Sequence, residues 1–309
     1  MKINKNIFIC ALLVLMLLVC VNAVSADESL NETLGTDAVD DVVVADAPAE
    51  ELSASGDTLI VDVNGGGDYT SISAAVSAAS GGETIFIKNG EYTETSKIDI
   101  GTKQLTFTGE SQDGVIIKSG DNDLFYTTGS GSTSLVIKGL TFKDISMTGA
   151  RTPIFIGGND NVEITDCTFD NCASRYGALR IFTSGSVTVD NCKFLGTKSS
   201  TGSYSSAIDF GGSGTADYTL KNCIIDGSEI SSASTASYIF GAIYNEKNTG
   251  TVILDNVTIC NCNLVSASGL IATKGNMEIK NSKIVNNYVY RDLAIAGLFF
   301  VNGAKTLTI

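Results

Sequence analysis

From residue 58 onward, apolar and polar residues alternate in runs of four or five, and one eight-residue phrase returns six times. It reads LVIKGLTF at 135–142, VEITDCTF at 162–169 and VTVDNCKF at 187–194. It then reads YTLKNCII at 218–225, VILDNVTI at 252–259 and MEIKNSKI at 277–284. The marker residues Ile137, Ile164, Val189, Leu220, Leu254 and Ile279 lie 27, 25, 31, 34 and 25 positions apart. Self-similarity at this spacing predicts a stacked solenoid. Period-2 alternation predicts strands with one face buried and one wet. The alternation breaks at Gly139, Asp166, Asn191, Asn222, Asn256 and Asn281, residue types that tolerate a left-handed backbone. One residue bent there turns the chain while both flanking strands keep their apolar sides inward. Asn89 and Gly109 are expected in the same slot upstream. A helical repeat would instead place apolar residues at i, i+3 and i+4.

A second strand recurs between these phrases: DLFY at 123–126, PIFI at 153–156, ALRI at 178–181 and AIDF at 207–210, followed by AIYN at 242–245, GLIA at 269–272 and GLFF at 297–300. Each coil is therefore expected to hold three short strands. The fold class is all-β, a right-handed parallel β-helix of about seven coils. Residues 72–79 carry Ile72, Ala75, Val76 and Ala79 on one helical face and stop at Gly81-Gly82. A short capping helix is expected there, covering strand edges and core that would otherwise be open.

Three regions follow. Residues 1–26 have a basic start (Lys2, Lys5), an apolar run from Ile7 to Val21 and small residues Val24-Ser25-Ala26, which together predict a signal peptide. Residues 27–56 hold nine acids and no base, predicting a disordered acidic spacer. The β-helix occupies 57–309. Ile309 falls in register with the marker, so the sequence ends in mid-coil, as expected of a fragment whose parent continues. No other stretch predicts a membrane span in the mature chain, and the expected location is secreted or at the cell surface. Nine of the 34 acids lie in the spacer and two of the 20 bases in the leader, leaving the body 25 acids against 18 bases. That sign, without a basic stripe, argues against nucleic acid as a partner.

The phrase VDVNGGGDYTSI at 61–72, with GETIFIKNGEY at 82–92 and LTFTGE at 105–110, resembles the opening coil of the pectin-lyase-like superfamily and is similar to the start of pectinesterases. With the leader, the acidic spacer and the Asn-Cys coils, the chain resembles the adhesin-like surface proteins of methanogenic archaea. The resemblance implies the β-helix; the superfamily's activities range over lyases, esterases, hydrolases and adhesins. Its enzymatic signatures do not carry over. The run at Tyr238, Ile239, Phe240 and Gly241 lacks the acid a pectinesterase places before it, and the chain has no Trp and no His. Arg180 and Asp209 on adjacent coils supply one acid, too few for a Ca²⁺ cage beside an Arg base. No catalytic residue, cofactor or metal site is predicted, and an adhesin binding polysaccharide or surface glycoprotein is favoured over a polyuronate lyase or esterase and over a purely structural surface-layer element.

The binding residues expected are those aligned outward on the second strand: Phe125, Phe155, Arg180, Asp209, Tyr244, Ile271 and Phe299. Solvated faces rarely carry so many apolar side chains, and aromatic rings stack on sugars. The alternative is that inter-strand segments such as 199–206 and 231–237 fold over this stripe. Cys167, Cys192 and Cys223 share a slot with Leu140 and Val257, predicting buried free thiols in a column. Asn31 and Asn256 begin N-glycosylation acceptor patterns. The 121–123 and 157–161 turns contain Ca²⁺-compatible oxygens but have ordinary turn composition.

Overall fold

In a computed structural model, the protein is described at residues 57–129, 134–158, 161–199, 204–230, 241–247, 249–265, 267–290, 297–301 and 306–309. The expected leader and spacer, residues 1–26 and 27–56, lie outside the described residues.

Every strand pair is parallel, and neighbours in a sheet are successive coils of the chain. The first sheet has ten strands, from Thr58–Val61 to Leu307–Thr308. The second has eight, from Gly90–Glu94 to Lys283–Val285, and the third eight, from Ile98–Asp99 to Gly297–Val301. The repeating phrase supplies the first and second sheets in register: Ile137, Ile164, Val189, Leu220, Leu254 and Ile279 are successive partners and all are buried. At ~4.8 Å per strand the first sheet is on the order of 40 Å long.

The winding makes eight turns rather than about seven, and five of them hold a fourth short strand, from Ala173–Ser174 to Tyr288–Tyr290. The extra strand follows a second row of left-handed residues, Asp144, Asn171, Gly196, Gly227, Asn261 and Asn286, with φ between 51° and 69°. Each lies five positions beyond a residue of the first bend row.

That first row is as expected from Gly139 onward: Asp166, Asn191, Asn222, Asn256 and Asn281 have φ of 50–54°. Their amides bond up the rod, Asn191 Nδ2 to Asp166 Oδ1 at 2.7 Å and Asn256 Nδ2 to Asn222 Oδ1 at 2.9 Å. Asn89 and Gly109 do not share this conformation, correcting the expectation for the early coils. Gly109 is needed for close approach instead, since a Cβ there would lie 2.1 Å from the Gly139 carbonyl oxygen. Asn89 anchors a wider turn, accepting at Oδ1 from Ser111 Oγ at 2.8 Å.

The core is one cluster running through the coils. Phe142, Phe169 and Phe194 stack with centroids 5.0 and 4.8 Å apart and planes within 10°, followed in register by Ile225, Ile259 and Ile284. Stacked like side chains interlock because each coil repeats the backbone of the last. Helix α1 (Ile72–Ala78) lies on the first coil with Ile72, Ala75 and Val76 buried, and Ala79 just past it. Ser71 caps it through Oγ to the Ala74 amide at 3.3 Å, and Glu94 Oε1 accepts from the Ile72 amide at 2.7 Å.

Candidate functional site

The outward face of the third sheet carries the predicted stripe with a changed register. Pairing aligns Asp99, Tyr126, Phe155, Arg180, Asp209, Tyr244, Ala272 and Phe300 in one outward row. Phe125, Ile271 and Phe299 belong to the inward row with Ile154, Leu179, Ile208 and Ile243, so these three are removed from the predicted face. Two adjacent apolar residues, Leu124-Phe125 and Leu270-Ile271, are both buried where the register was misread. A doubled apolar residue gives a period-2 pattern no phase.

The row is open in one part and covered in another. Tyr126, Phe155 and Arg180 are half-buried, whereas Asp209 is 0 % and Tyr244 1 % exposed. Tyr244 and Ala272 pack against Tyr204 and Phe300, so Tyr244 and Asp209 are not available at the surface. The two alternatives for the stripe thus each hold over part of its length.

The open part is a continuous stack of rings and cations. Lys97 Nζ lies 4.0 Å from the Tyr126 ring centre, Tyr126 stacks on Phe155 at 5.2 Å, and the Arg180 guanidinium carbon lies 5.6 Å from the Phe155 ring. Arg180 also sits 3.6 Å over Tyr176 and 4.4 Å from Phe182. Such contacts hold rings and guanidinium planes with little side-chain freedom left to lose on binding. Arg180 Nε donates to Asp209 Oδ2 at 3.1 Å. Burial raises the Asp209 carboxyl pKa to about 8 and Glu246 adds to the rise, with Arg180 opposing it. Asp209 Oδ1 is buried with no hydrogen-bond partner.

The turn before Arg180 was missed by sequence reasoning. Ser174 Oγ donates to the Gly177 carbonyl at 2.6 Å and accepts from the Tyr176 amide at 3.2 Å. Gly177 has φ of +85°, and a Cβ there would meet the Ala207 carbonyl oxygen at 2.6 Å. This fixed turn places the half-buried Arg175 beside the buried Tyr176, with Tyr204 of the next coil 4.6 Å from Tyr176. Its sequence signal was a lone Ser-Arg-Tyr-Gly run, which reads as an ordinary turn.

The other predicted groups are satisfied locally. Cys167, Cys192 and Cys223 form the expected buried column; each thiol faces a carbonyl of the preceding coil at 3.5 to 3.7 Å. All six cysteines among the described residues are buried and none is in a disulfide. Burial pushes the Cys262 thiol up to about 12, and Cys192 well above its ordinary range. Asp121 accepts from the Thr148 hydroxyl and amide and pairs with Arg151 at 2.8 Å, which together lower its pKa to about 2, and Asp123 accepts from the Thr152 amide. These acids hold turns together. Among the described residues no cluster of His, Cys, Asp or Glu has the geometry to hold a metal. Asn256 is exposed, with its Nδ2 committed to Asn222; Asn31 lies outside the described residues. A groove of about 240 Å³ on the second sheet is lined by Asp113, Lys143, Asp170 and Lys193, among others. Lys143 and Asp170 pair there at 3.2 Å, as on a solvated strand face. No described helix is long and apolar enough to cross a membrane.

No curated protein matches the chain in sequence. Among solved structures it is similar to a PL6 family alginate lyase, at 14 % identity and TM-score 0.42 over 82 % of this chain. It spans only 40 % of that lyase's length. It is also similar to a pectin methylesterase solved with a hexasaccharide (14 % identity, TM-score 0.38, 75 % of this chain and 80 % of that one) and to pectin methylesterase PemA from Erwinia chrysanthemi (15 %, 0.36, 76 % and 80 %). The model of the right-handed beta helix region matches residues 83–309. With the coils in parallel register and their cores stacked, this chain belongs to the right-handed β-helix family.

Proposed function

We propose that the protein is an exported, adhesin-like β-helix rod that binds polysaccharide, or the glycan of a surface glycoprotein, at the cell surface without cleaving it. The observation that carries this reading is the half-exposed stack of Lys97, Tyr126, Phe155 and Arg180 along the third sheet. Tyr126 to Arg180 spans two coil steps, about 10 Å, which suits consecutive sugar rings laid along the rod axis. The stacked rings cover one another's faces and offer a continuous apolar strip to the C–H groups of sugars, while Arg180 supplies directional donors. Export is supported by the basic, apolar and small-residue order of residues 1–26. Binding without turnover is supported by Asp209: this carboxyl, whose pKa is raised toward that of a general acid, is fully buried, so it cannot reach a bound glycosidic bond.

The test is a glycan-array screen of the purified protein, with release of reducing ends, unsaturated uronates and methanol followed on the same polymers. Binding without product is expected. Replacing Phe155 by Ala should weaken binding about five- to tenfold, the worth of one aromatic contact. Release of product would replace this reading with an enzymatic one, and unchanged binding by F155A would move the site elsewhere.

A further inference from the structure

Four arginines occur in the whole chain, and two of them, Arg175 and Arg180, converge on the ring of Tyr176. Their guanidinium carbons lie 5.4 and 3.6 Å from its centre, and Arg175 is also 5.2 Å from the Tyr204 ring. In a chain of net charge −14 this local excess of fixed positive charge needs an explanation.

Among the described residues, neither guanidinium is saturated. Arg180 uses Nε alone, on Asp209, and its two terminal nitrogens make no hydrogen bond with the described residues. Arg175 has no ion pair or hydrogen bond among the described residues, and its Nε is buried without a partner. The terminal nitrogens of both guanidinium groups, unlike Arg175 Nε, are not buried and keep N–H donors open to a ligand. The geometry is also fixed in advance. Ser174, Gly177 and the bond from Ser205 Oγ to the Tyr176 carbonyl at 2.7 Å lock the turn, and Asp209 anchors Arg180 from beneath the sheet surface.

We infer that Arg175 and Arg180, both resting on the Tyr176 ring, form a subsite for an anionic group of the bound polysaccharide, the carboxylate of a uronic acid or the sulfate ester of a sulfated sugar. Guanidinium forks match both groups through paired N–H donors, and the rings on which they rest keep water from solvating them fully. Asp209 is a positioning residue that orients Arg180 and does not touch the ligand. The inference rests on the polysaccharide reading and adds to it the charge of the sugar.

Matched polymers separate the two claims. The full chain would be titrated with polygalacturonate and its fully methyl-esterified form, and with a sulfated galactan and its desulfated form. The acidic member of one pair should bind at least tenfold more tightly than its neutral partner, and the pair that shows this identifies the anion. Arg175→Gln should abolish that preference and leave binding at the neutral level; Arg175→Lys should restore it in part. Because Arg175 holds no ion pair, R175Q is expected to melt like the parent, whereas R180Q strands Asp209. Equal binding of acidic and neutral forms, or a preference that survives R175Q, overturns the anionic subsite while leaving polysaccharide binding intact. Failure to bind any of the four polymers overturns both.

Discussion

Asn222 sits at φ 54°, donates from Nδ2 to Asp190 Oδ1 at 2.8 Å and accepts at Oδ1 from Asn256 Nδ2. A β-branched residue there is strained by its backbone and breaks both bonds, so Asn222→Val should cost about 2–4 kcal/mol in urea unfolding. Asn222→Gly, which keeps the conformation and loses only the bonds, should cost about half of that. Asn89, whose φ is not positive, should tolerate Ala with a loss of about 1 kcal/mol. Equal losses at both sites would remove the distinction between the regular bend and the wider early turn. Asp209 makes a second, independent prediction. Its folded pKa of about 8 lies above the ordinary 3.8, so between about pH 4 and pH 8 the folded chain holds a proton that the unfolded chain has released. Its contribution to stability is therefore full below pH 4 and falls as pH rises through 8, by up to about 1.4 kcal/mol per pH unit. Asp121, lowered to about 2, acts in the opposite sense and at lower pH, its contribution being lost as pH falls below about 4. Thermal midpoints of the parent should decline from pH 5 to pH 8, and those of Asp209→Asn should stay level over the same range. A parallel decline in the variant would assign the pH dependence to other groups.

Within each coil the slot after the bend turns a side chain inward, and Cys167, Cys192, Cys223, Val257 and Ser282 occupy it in turn. Ser282 Oγ donates to the Lys280 carbonyl at 2.8 Å, as Cys192 Sγ faces the Asp190 carbonyl at 3.2 Å. Cys192→Ser and Cys192→Val should then each cost no more than about 1.5 kcal/mol. The native thiols should resist an alkylating reagent at pH 8 until denaturant is added, because burial raises their pKa and blocks access. Rapid labelling of the folded chain would contradict the column. The same slot explains how far the sequence could be read. Its marker residues and first bend row were legible because one face of each strand is buried and one residue must bend. The second bend row was there to be found: Asn191 is followed five positions later by Gly196, Asn256 by Asn261 and Asn281 by Asn286. It went unread because Asp, Asn and Gly interchange in it, and the strands of two or three residues beyond it are too short to show a period. The third sheet lost its phase at Leu124-Phe125 and Leu270-Ile271, and with it the division between core and binding face. Arg180, Asp209, Phe155 and Tyr244 were placed on one row by alternation alone, but the burial of Tyr244 depends on Tyr204 and Phe300, which come from other coils. Arg175 carried no periodic signal at all.

On the scale of the whole β-helix, strands pair only with those of neighbouring coils, so stability is largely a sum of coil and interface contributions. The continuous column from Tyr92 through Phe142, Phe169 and Phe194 to Ile284 couples neighbours strongly, yet damage at one end has to pass through every interface to reach the other. Helix α1 is the place to test this. Val76 is 2 % exposed beneath it, and its carbonyl accepts from Lys103 Nζ at 2.6 Å, joining the helix to the following coil. Val76→Asp buries an unpaired carboxylate and should destabilise the helix and the first coils by about 3 kcal/mol or more. Hydrogen exchange should then accelerate in Thr84–Ile87 and Leu105–Gly109, while Val187–Asp190 and Thr251–Asp255 keep the protection of the parent. Uniform acceleration across all four strands would mean that the coils unfold as one unit. Graded loss has a functional consequence, because Lys97 and Tyr126 lie in the coils nearest the helix, whereas Phe155 and Arg180 lie two and three strands beyond Ile98–Asp99. The Val76→Asp variant should lose the share of glycan affinity carried by Lys97 and Tyr126 and keep that of Phe155 and Arg180 at temperatures where its first coils have already opened.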